Sequence, residues 1–193
     1  MSEILQHLDH RQIYSTQELG VWWEDLEKHY YTYDEPGRKR RFDNDDPWND
    51  MHTHIYGFDA NASINGFFVF TLLNNNIVGH CRTIPLMEAT TKTSYHDLPF
   101  SEGEKNHIWI IAGIGVGSHV QHRRIGTTLL NDTLEKINAK DPQAIVVAGI
   151  NVNNAESIGL FEKCGFSLFQ AITNENISVY KRDLNAGDLS IIS

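Results

Sequence analysis

The clearest pattern of apolar positions lies in the middle of the chain. Two β-rich runs, GFFVFTLL (66–73) and IVGHCRTI (77–84), are joined by turn-forming asparagines and predict a hairpin. The run HIWIIAGIGV (107–116) predicts a third strand. Its alternating glycines, which continue to Gly117, indicate a bulge or a close approach of another backbone. The mixed polar residues at 87–105 predict a loop.

After residue 120 the apolar positions change to helical spacing. The positions that show this spacing are Ile125, Leu129, Leu130, Leu134 and Ile137. They predict a helix that begins near Arg124 and ends before Pro142. The continuously apolar run AIVVAGI (144–150) then predicts a strand that is covered on both faces.

Three further elements are predicted toward the end of the sequence. Residues 155–164 fit a helix, with Gly165 placed as its C-terminal cap. Residues 166–172 and 177–183 fit two strands around a turn. An early hairpin followed by strand, helix, strand, helix, strand and strand predicts a mixed α/β sheet.

The N-terminal third is less regular. STQE (15–18) is a capping-box pattern and predicts a helix through about Tyr30, which Pro36 ends. A polar region follows, with a short element at 54–58. A length of 193 residues suits one domain with a real core, so we expect 1–193 to form a single unit.

Composition narrows the classes of partner. A net charge of −9 disfavours nucleic acid, because that binding depends on neutralising phosphates. The longest nearly apolar stretch, 108–117, is too short to cross a bilayer, so no membrane partner is expected. Cys81 and Cys164 lie in apolar runs typical of reduced core residues, which predicts a cytoplasmic location. No Cys/His spacing fits a zinc site, so no metal is expected.

The stretch VGSHVQHRRIGTTLL (116–130) places a glycine-containing strand end before a helix. Helix N-termini bind anions, because their first N–H groups are free, and Arg123 and Arg124 would meet phosphates there. On this stretch alone, two simply exposed arginines remain an alternative. The stretch resembles the acetyl-CoA signature Q/R-x-x-G-x-G/A of the GNAT superfamily of N-acetyltransferases, with Gln121, Arg124 and Gly126 at the marked positions. Arg124 replaces the middle glycine, which is tolerable if the backbone there is helical.

A second stretch, NNAESIGLFEKCGF (153–166), is similar to the family's N-x-x-A-x-x-L-Y-x-K-x-G-F segment. Ser157 stands at the alanine position. The matching residues are Asn154, Leu160, Lys163, Gly165 and Phe166. The two motifs together cover roughly the C-terminal half, and on them the chain is identified as a member of the GNAT superfamily.

The resemblance implies a fold and a division of labour. The fold is a mixed, mostly antiparallel α/β sheet with helices on both faces, whose central strands, 107–116 and 144–150, splay apart. The half 106–183 would bind acetyl-CoA, and the half 1–105 would carry the acceptor side. Dimers are frequent in the family, so a homodimer stays open.

The resemblance also implies which residues bind acetyl-CoA, the acyl donor. The pantetheine arm would bond to strand backbone near Ile114 to Val116, and the pyrophosphate would rest on the amides of 122–127. Asn154 would approach from the second helix. The full predicted set is Ile114, Val116, Gln121, His122, Arg123, Arg124, Ile125, Gly126, Thr127, Asn154, Ser157 and Phe161.

Members of the family generally transfer acetyl directly to an amine, which calls for a base and an acid. The family's frequent glutamate base aligns with Ile110 and its frequent tyrosine acid with Phe161, and neither side chain moves a proton. We take His107 and Tyr180 as candidates, because His107 begins the central strand and Tyr180 lies on the last one. A water relay and ordinary surface or hydrogen-bonded roles stay open. The other candidates are His80, His119, Glu88 and Asp97.

The expected acceptor is a primary amine of a small molecule or peptide. Acidic residues in 43–50 would attract a polyamine, an aminoglycoside or a lysine-rich peptide. The tryptophans and tyrosines between Trp22 and Trp48 would line a pocket or form core.

Two alternatives remain. Several positions resemble the acyl-homoserine-lactone synthases, which use a longer acyl donor, although that family's acidic and basic residues are Ile110 and Gly113 here. The second alternative is a non-catalytic acetyl-CoA-binding protein, because Ile110 and Phe161 occupy the proton-transfer positions. The residues that carry the first alternative are RKRRF (38–42), Trp48, Asp59, RTIP (82–85), Met87 and Trp109.

Overall fold

The computed structural model describes residues 5–9, 66–74, 76–88, 94–117, 120–172 and 176–184. The predicted helix at 15–30, the element at 54–58, the acidic stretch 43–50 with its neighbouring aromatics, and His119 lie outside the described residues.

In the described part of the chain, seven strands form one sheet with the order β1-β2-β3-β4-β5-β7-β6. Every neighbouring pair is antiparallel except β4 and β5, which are parallel. This confirms the mixed, mostly antiparallel sheet. The strands are β1 Leu5–Asp9, β2 Phe67–Leu73, β3 Asn76–Pro85, β4 Ile108–Val116, β5 Ile145–Asn151, β6 Ser167–Ile172 and β7 Ile177–Asp183.

Three α-helices are described, α1 Glu102–Lys105, α2 Ile125–Lys140 and α3 Ala155–Lys163. The predicted loop at 87–105 is wrong in part, because it contains α1 and the 3₁₀ turn Ser94–Asp97, and another 3₁₀ turn, Leu86–Glu88, leads into it. A capping box forms α1: the Ser101 hydroxyl accepts from the Glu104 amide, and the Glu104 carboxylate accepts from the Ser101 amide. This Ser-x-x-Glu signal was present in the sequence.

Strand alternation divides the core into two layers. The helix-side core contains Trp109 and Ile111 of β4, Val146 and Ala148 of β5, and the apolar stripe of α2 from Leu129 to Ile137. The loop-side core lies on the other face and joins Leu86, Leu98 and Phe100 to Ile108, Ile110, Ile145, Val147 and Val179. Among the described residues, no helix is both long and apolar enough to span a bilayer.

A bulge distorts β4 at its glycine-rich half, as predicted. The register runs from Arg82 opposite Gly113 to Thr83 opposite Ile111, so Ala112 is the extra residue. The predicted close approach is also present, because a Cβ atom on Gly79 would lie 3.1 Å from the carbonyl oxygen of Gly115. The bulge residue lies two positions beyond Ile110, the last residue of β4 that pairs with β5.

Candidate functional site

The central strands separate after a short common stretch. β4 and β5 pair only at Ile108–Ile145, Trp109–Val146 and Ile110–Val147, although β4 continues to Val116 and β5 to Asn151. The predicted splay is therefore present. Its open end lies at the carboxyl ends of both strands, where α2 and α3 begin.

A cavity of about 830 Å³ occupies this open end. Its walls are the last residues of β4 and β5, the connection into α2, and the first two turns of α3. It is lined by Ile114, Gly115, Val116, Gly117, Val120, Gln121, His122, Arg124, Ile125, Gly126, Thr127, Asn151, Asn154, Ala155, Glu156, Ser157, Gly159, Leu160 and Lys163. The volume suits an organic ligand with an extended arm.

The two helices begin differently at this cavity. Asn154 caps α3 with its own side chain, whose oxygen accepts from the Ser157 amide at 3.0 Å. Arg124, the cap residue of α2, makes no side-chain capping bond, and the first turn of α2 holds no acid. Within the described part of the chain, the first amides of α2 thus receive no acceptor from their cap residue, and they lie at the cavity, where the positive end of the helix dipole favours an anion.

The backbone before α2 corrects one expectation. The replacement of the motif's glycine by Arg124 is tolerable if the backbone there is helical, but this residue lies in the left-handed region at φ 62, and so does His122 at φ 62. Arg124 thus keeps the conformation that the motif's glycine adopts freely, at a cost of roughly 1 kcal/mol for a residue with a Cβ atom.

Charged side chains line the cavity. Arg124 and Lys163 carry positive charge, Glu156 carries negative charge, and His122 lines it as well. Arg123 is exposed and lies outside the lining. One of the two predicted arginines thus faces the cavity.

Gly126 in the first turn of α2 is not required by its protein neighbours. A Cβ atom there would meet Leu160 at 3.5 Å and Val116 at 3.6 Å, which are ordinary contacts. By contrast, Gly165 has a φ of 80 and ends α3 as predicted, because a left-handed cap favours glycine. The packing of the protein therefore does not require glycine at position 126, and the space that its missing side chain leaves is part of the cavity.

Ten of the twelve predicted cofactor-binding residues meet around the cavity. Arg123 and Phe161 are the exceptions. Phe161 is buried in the helix-side core, where its ring packs edge-on against Phe166 with 4.9 Å between centroids. Leu160, its neighbour on the helix, lines the cavity instead, so Phe161 drops out of the candidate set.

The geometry does not favour His107 as a catalytic base. Its Nδ1 lies 3.0 Å from both carboxylate oxygens of Asp141, the C-cap of α2. His107 precedes the start of β4, whereas the cavity begins at Ile114, roughly 23 Å further along an extended strand. The histidine joins the start of β4 to the end of α2, at the end of β4 opposite the cavity.

The remaining proton-transfer candidates also lie outside the cavity lining. Tyr180 is buried in the helix-side core opposite Ala148 of β5. Glu88 is partly buried, and Asp97 is exposed. Neither carboxylate lines the cavity.

His80 lies on β3, opposite Gly115 of β4. Burial lowers its pKa to about 4, and the charge of Arg82 adds to this effect. Such a weak base is poorly matched to removing a proton from an alkylammonium ion.

The geometry adds lining residues that sequence reasoning missed, among them Asn151, Glu156 and Lys163. Lys163 belongs to the second motif, so its spacing of three residues from Leu160, another motif residue that lines the cavity, was an available signal. Asn151 ends a strand, and only the splay reveals that it faces a cavity.

Comparisons with solved structures agree with this architecture. YncA from Salmonella typhimurium, solved with its cofactor acetyl-CoA, has a TM-score of 0.66 at 13% identity and covers 95% of this chain and 96% of its own. The aminoglycoside acetyltransferase AAC(6')-Ib, solved with coenzyme A, has a TM-score of 0.64 at 15% identity over 93% of both chains. An acetyltransferase of the GNAT family from Streptococcus pneumoniae has a TM-score of 0.61 at 14% identity and covers 95% and 100%. At these identities the likeness shows a shared fold.

A comparison with curated protein sequences finds no significant match. The sequence model of the acetyltransferase (GNAT) family matches residues 21–166, which is most of the chain and includes the splayed strands and both helix starts at the cavity. Acetyl-CoA is the acyl donor of this family. The chain belongs to the GNAT acetyltransferase family.

Proposed function

We propose that the protein is an acetyl-CoA-dependent N-acetyltransferase that moves an acetyl group directly to a primary amine of a small molecule or peptide. The observation that carries this proposal is the cavity between β4 and β5, which ends at the uncapped N-terminus of α2. Acetyl-CoA is consumed in the reaction and is therefore a substrate of the enzyme.

The cavity suits the parts of acetyl-CoA in order. The first amides of α2, from Ile125 to Thr127, would receive the pyrophosphate, with Arg124 and Lys163 supplying positive charge. The backbone between Ile114 and Val116 has no strand partner on the β5 side, so it would bond to the pantetheine arm. This arrangement directs the acyl end of the ligand toward Ile110 and Val147, where the strands meet.

Direct transfer needs an amine that has lost its proton and donors for the thioester oxygen. A net charge of −9 favours a cationic acceptor, which must then be deprotonated before it attacks. Ile110 cannot do this, and His107 lies at the other end of β4, so water relayed to solvent is the route we propose. The cytoplasm is the proposed location, because Cys81 and Cys164 are both free and buried.

The test is release of free CoA thiol from acetyl-CoA, measured with purified protein and a panel of polyamines, aminoglycosides, amino acids and lysine peptides. Arg124→Glu places a negative charge at the cavity and is expected to abolish binding. Arg123→Glu is the matched control, because it makes the same charge change at the adjacent residue, which does not line the cavity.

Thiol release that one amine class stimulates, and that Arg124→Glu alone loses, would establish the activity and its acceptor class. Turnover only with longer acyl thioesters would move the protein toward the homoserine-lactone-synthase type. Acetyl-CoA binding without turnover on any amine would replace the proposal with a non-catalytic binding role.

A further inference from the structure

A tyrosine outside both sequence motifs approaches β5 from the loop side. Tyr95, in the 3₁₀ turn Ser94–Asp97, packs against the loop-side core. A Cβ atom on Gly149 of β5 would lie 2.5 Å from the Tyr95 hydroxyl oxygen, closer than protein atoms tolerate. Gly149 is therefore the residue type that lets this hydroxyl rest against the strand.

Gly149 lies in the part of β5 that no longer pairs with β4. The last pair between β4 and β5 is Ile110–Val147, so Gly149 lies two residues into the open gap. Asn151, which lines the cavity, is about 7 Å further along the strand. Gly149 is exposed, whereas its neighbours Ala148 and Ile150 are buried. The hydroxyl thus lies where the strands diverge, against an accessible stretch of backbone.

The two tyrosines near β5 lie on opposite faces. Tyr180 pairs with Ala148 and is 6% exposed within the helix-side core. Tyr95 is partly exposed and contacts Gly149, the next residue of the same strand. Phe161 has no hydroxyl and cannot serve as the acid that the family often places there. Tyr95 lies outside the cavity lining, as Tyr180 does, but its hydroxyl rests against Gly149 in the open gap, which makes it the candidate for this proton transfer among the described tyrosines.

We propose that Tyr95 is the proton donor to the sulfur of the departing CoA. This inference rests on the proposed acetyl transfer. The amine nitrogen forms a bond to the acetyl carbon, the carbon–sulfur bond breaks, and the sulfur keeps the electron pair. The Tyr95 hydroxyl gives its proton to that sulfur, and the phenolate regains a proton from the one that the amine releases. Atoms and charges balance without a further reactant.

Two measurements test the inference. Tyr95→Phe is expected to lower kcat for thiol release about a hundredfold, the scale of a lost general acid, while KM stays unchanged. Affinity for CoA and for desulfo-CoA, which lacks the sulfur, is measured in the same variant without any acceptor. CoA is expected to lose roughly threefold to tenfold in affinity, the scale of one hydrogen bond, and desulfo-CoA none.

Two further variants test whether the Tyr95 hydroxyl itself causes these losses. Gly149→Ala should reproduce both losses, because its Cβ displaces the hydroxyl. Its control is Gly103→Ala, where a Cβ meets nothing within 4 Å. Tyr180→Phe should leave both readouts unchanged.

An unchanged ratio of CoA to desulfo-CoA affinity in Tyr95→Phe would overturn the inference, even if the enzyme is active, and would leave the proposed function intact. Failure of the wild-type protein to bind either ligand would overturn both. A wild-type protein that binds but does not turn over is still decided by the affinity ratio.

Discussion

The imidazole Nδ1 of His107 lies 3.0 Å from each carboxylate oxygen of Asp141, and this contact joins the start of β4 to the end of α2. Asp141 also accepts from the Gln143 amide at 3.1 Å, which orders the turn into β5. The histidine that begins the central strand is therefore a structural residue.

We predict that His107→Ala lowers the free energy of unfolding by about 1 kcal/mol, because it removes a partly exposed hydrogen bond to Asp141. Acetyl-CoA turnover should stay unchanged. Urea unfolding and thiol-release kinetics on the same preparation measure the two quantities. Asp141→Asn is the control, since it keeps an oxygen for Gln143. A loss of kcat with unchanged stability would restore His107 as a catalytic residue.

His80 should make stability depend on pH. Burial first, and Arg82 second, lower its pKa from 6.5 to about 4. Between pH 4 and pH 6.5 this histidine binds more protons in the unfolded chain than in the folded protein. Its contribution to the free energy of unfolding is therefore fully present above pH 6.5 and falls as the pH drops toward 4. Between pH 7.5 and pH 5 the loss from this group should be about 2 kcal/mol. The measurement is urea unfolding of wild-type protein and His80→Gln at both pH values, and equal losses in the two would contradict the prediction.

The left-handed conformation of Arg124 separates its backbone role from its charge. Arg124→Gly and Arg124→Ala both remove the guanidinium, but only glycine adopts this conformation without strain. We expect the glycine variant to be more stable than the alanine variant by roughly 1 kcal/mol in thermal or urea unfolding.

Both Arg124 variants should bind acetyl-CoA less tightly than the wild type, because both lose the same charge at the cavity. Calorimetry would measure this. A glycine variant that binds as tightly as the wild type would show that the backbone alone holds the ligand.

Gly126 offers a test in which stability and binding move in opposite directions. Gly126→Ala should raise the free energy of unfolding by about 0.5–1 kcal/mol, because glycine is unfavourable in a helix and the new Cβ meets only ordinary contacts. Affinity for acetyl-CoA should fall at least about tenfold, equivalent to 1.4 kcal/mol, because the methyl group occupies ligand space. Unchanged affinity would mean that the ligand does not approach this turn.

Periodicity carried most of the fold prediction. Strands β2 to β7 and the two long helices follow β-rich or continuously apolar runs and helical spacing, so their type and order were readable. Strand β1, Leu5–Asp9, was not predicted. The segment between β3 and β4 was misread, because its short helices have no periodicity, although the capping box at Ser101 was visible.

The part of the site that consists of backbone amides was predictable from the sequence. The motif around Gly126 marks a helix N-terminus, and helix N-termini bind anions whatever their side chains are. The proton-transfer residues were not predictable in this way. His107 pairs with Asp141 34 positions away, and Tyr95 meets Gly149 from another element, so only the folded chain brings these groups together. Phe161 was misplaced because the motif gives its position on α3 but not which face is buried.

The brief pairing of β4 with β5 also governs how the protein responds mechanically. Hydrogen bonding between the β1–β4 and β5–β7 halves of the sheet runs through three residue pairs. A ligand bound between Ile114 and Asn151 would therefore add contacts between these two halves of the sheet. Without it, we expect local unfolding of one half to be only partly coupled to that of the other. At a concentration of 100 times Kd it would add about 2.7 kcal/mol to the stability of the closed state. The amides of residues 111–116 would then exchange their hydrogens in step with those of β7.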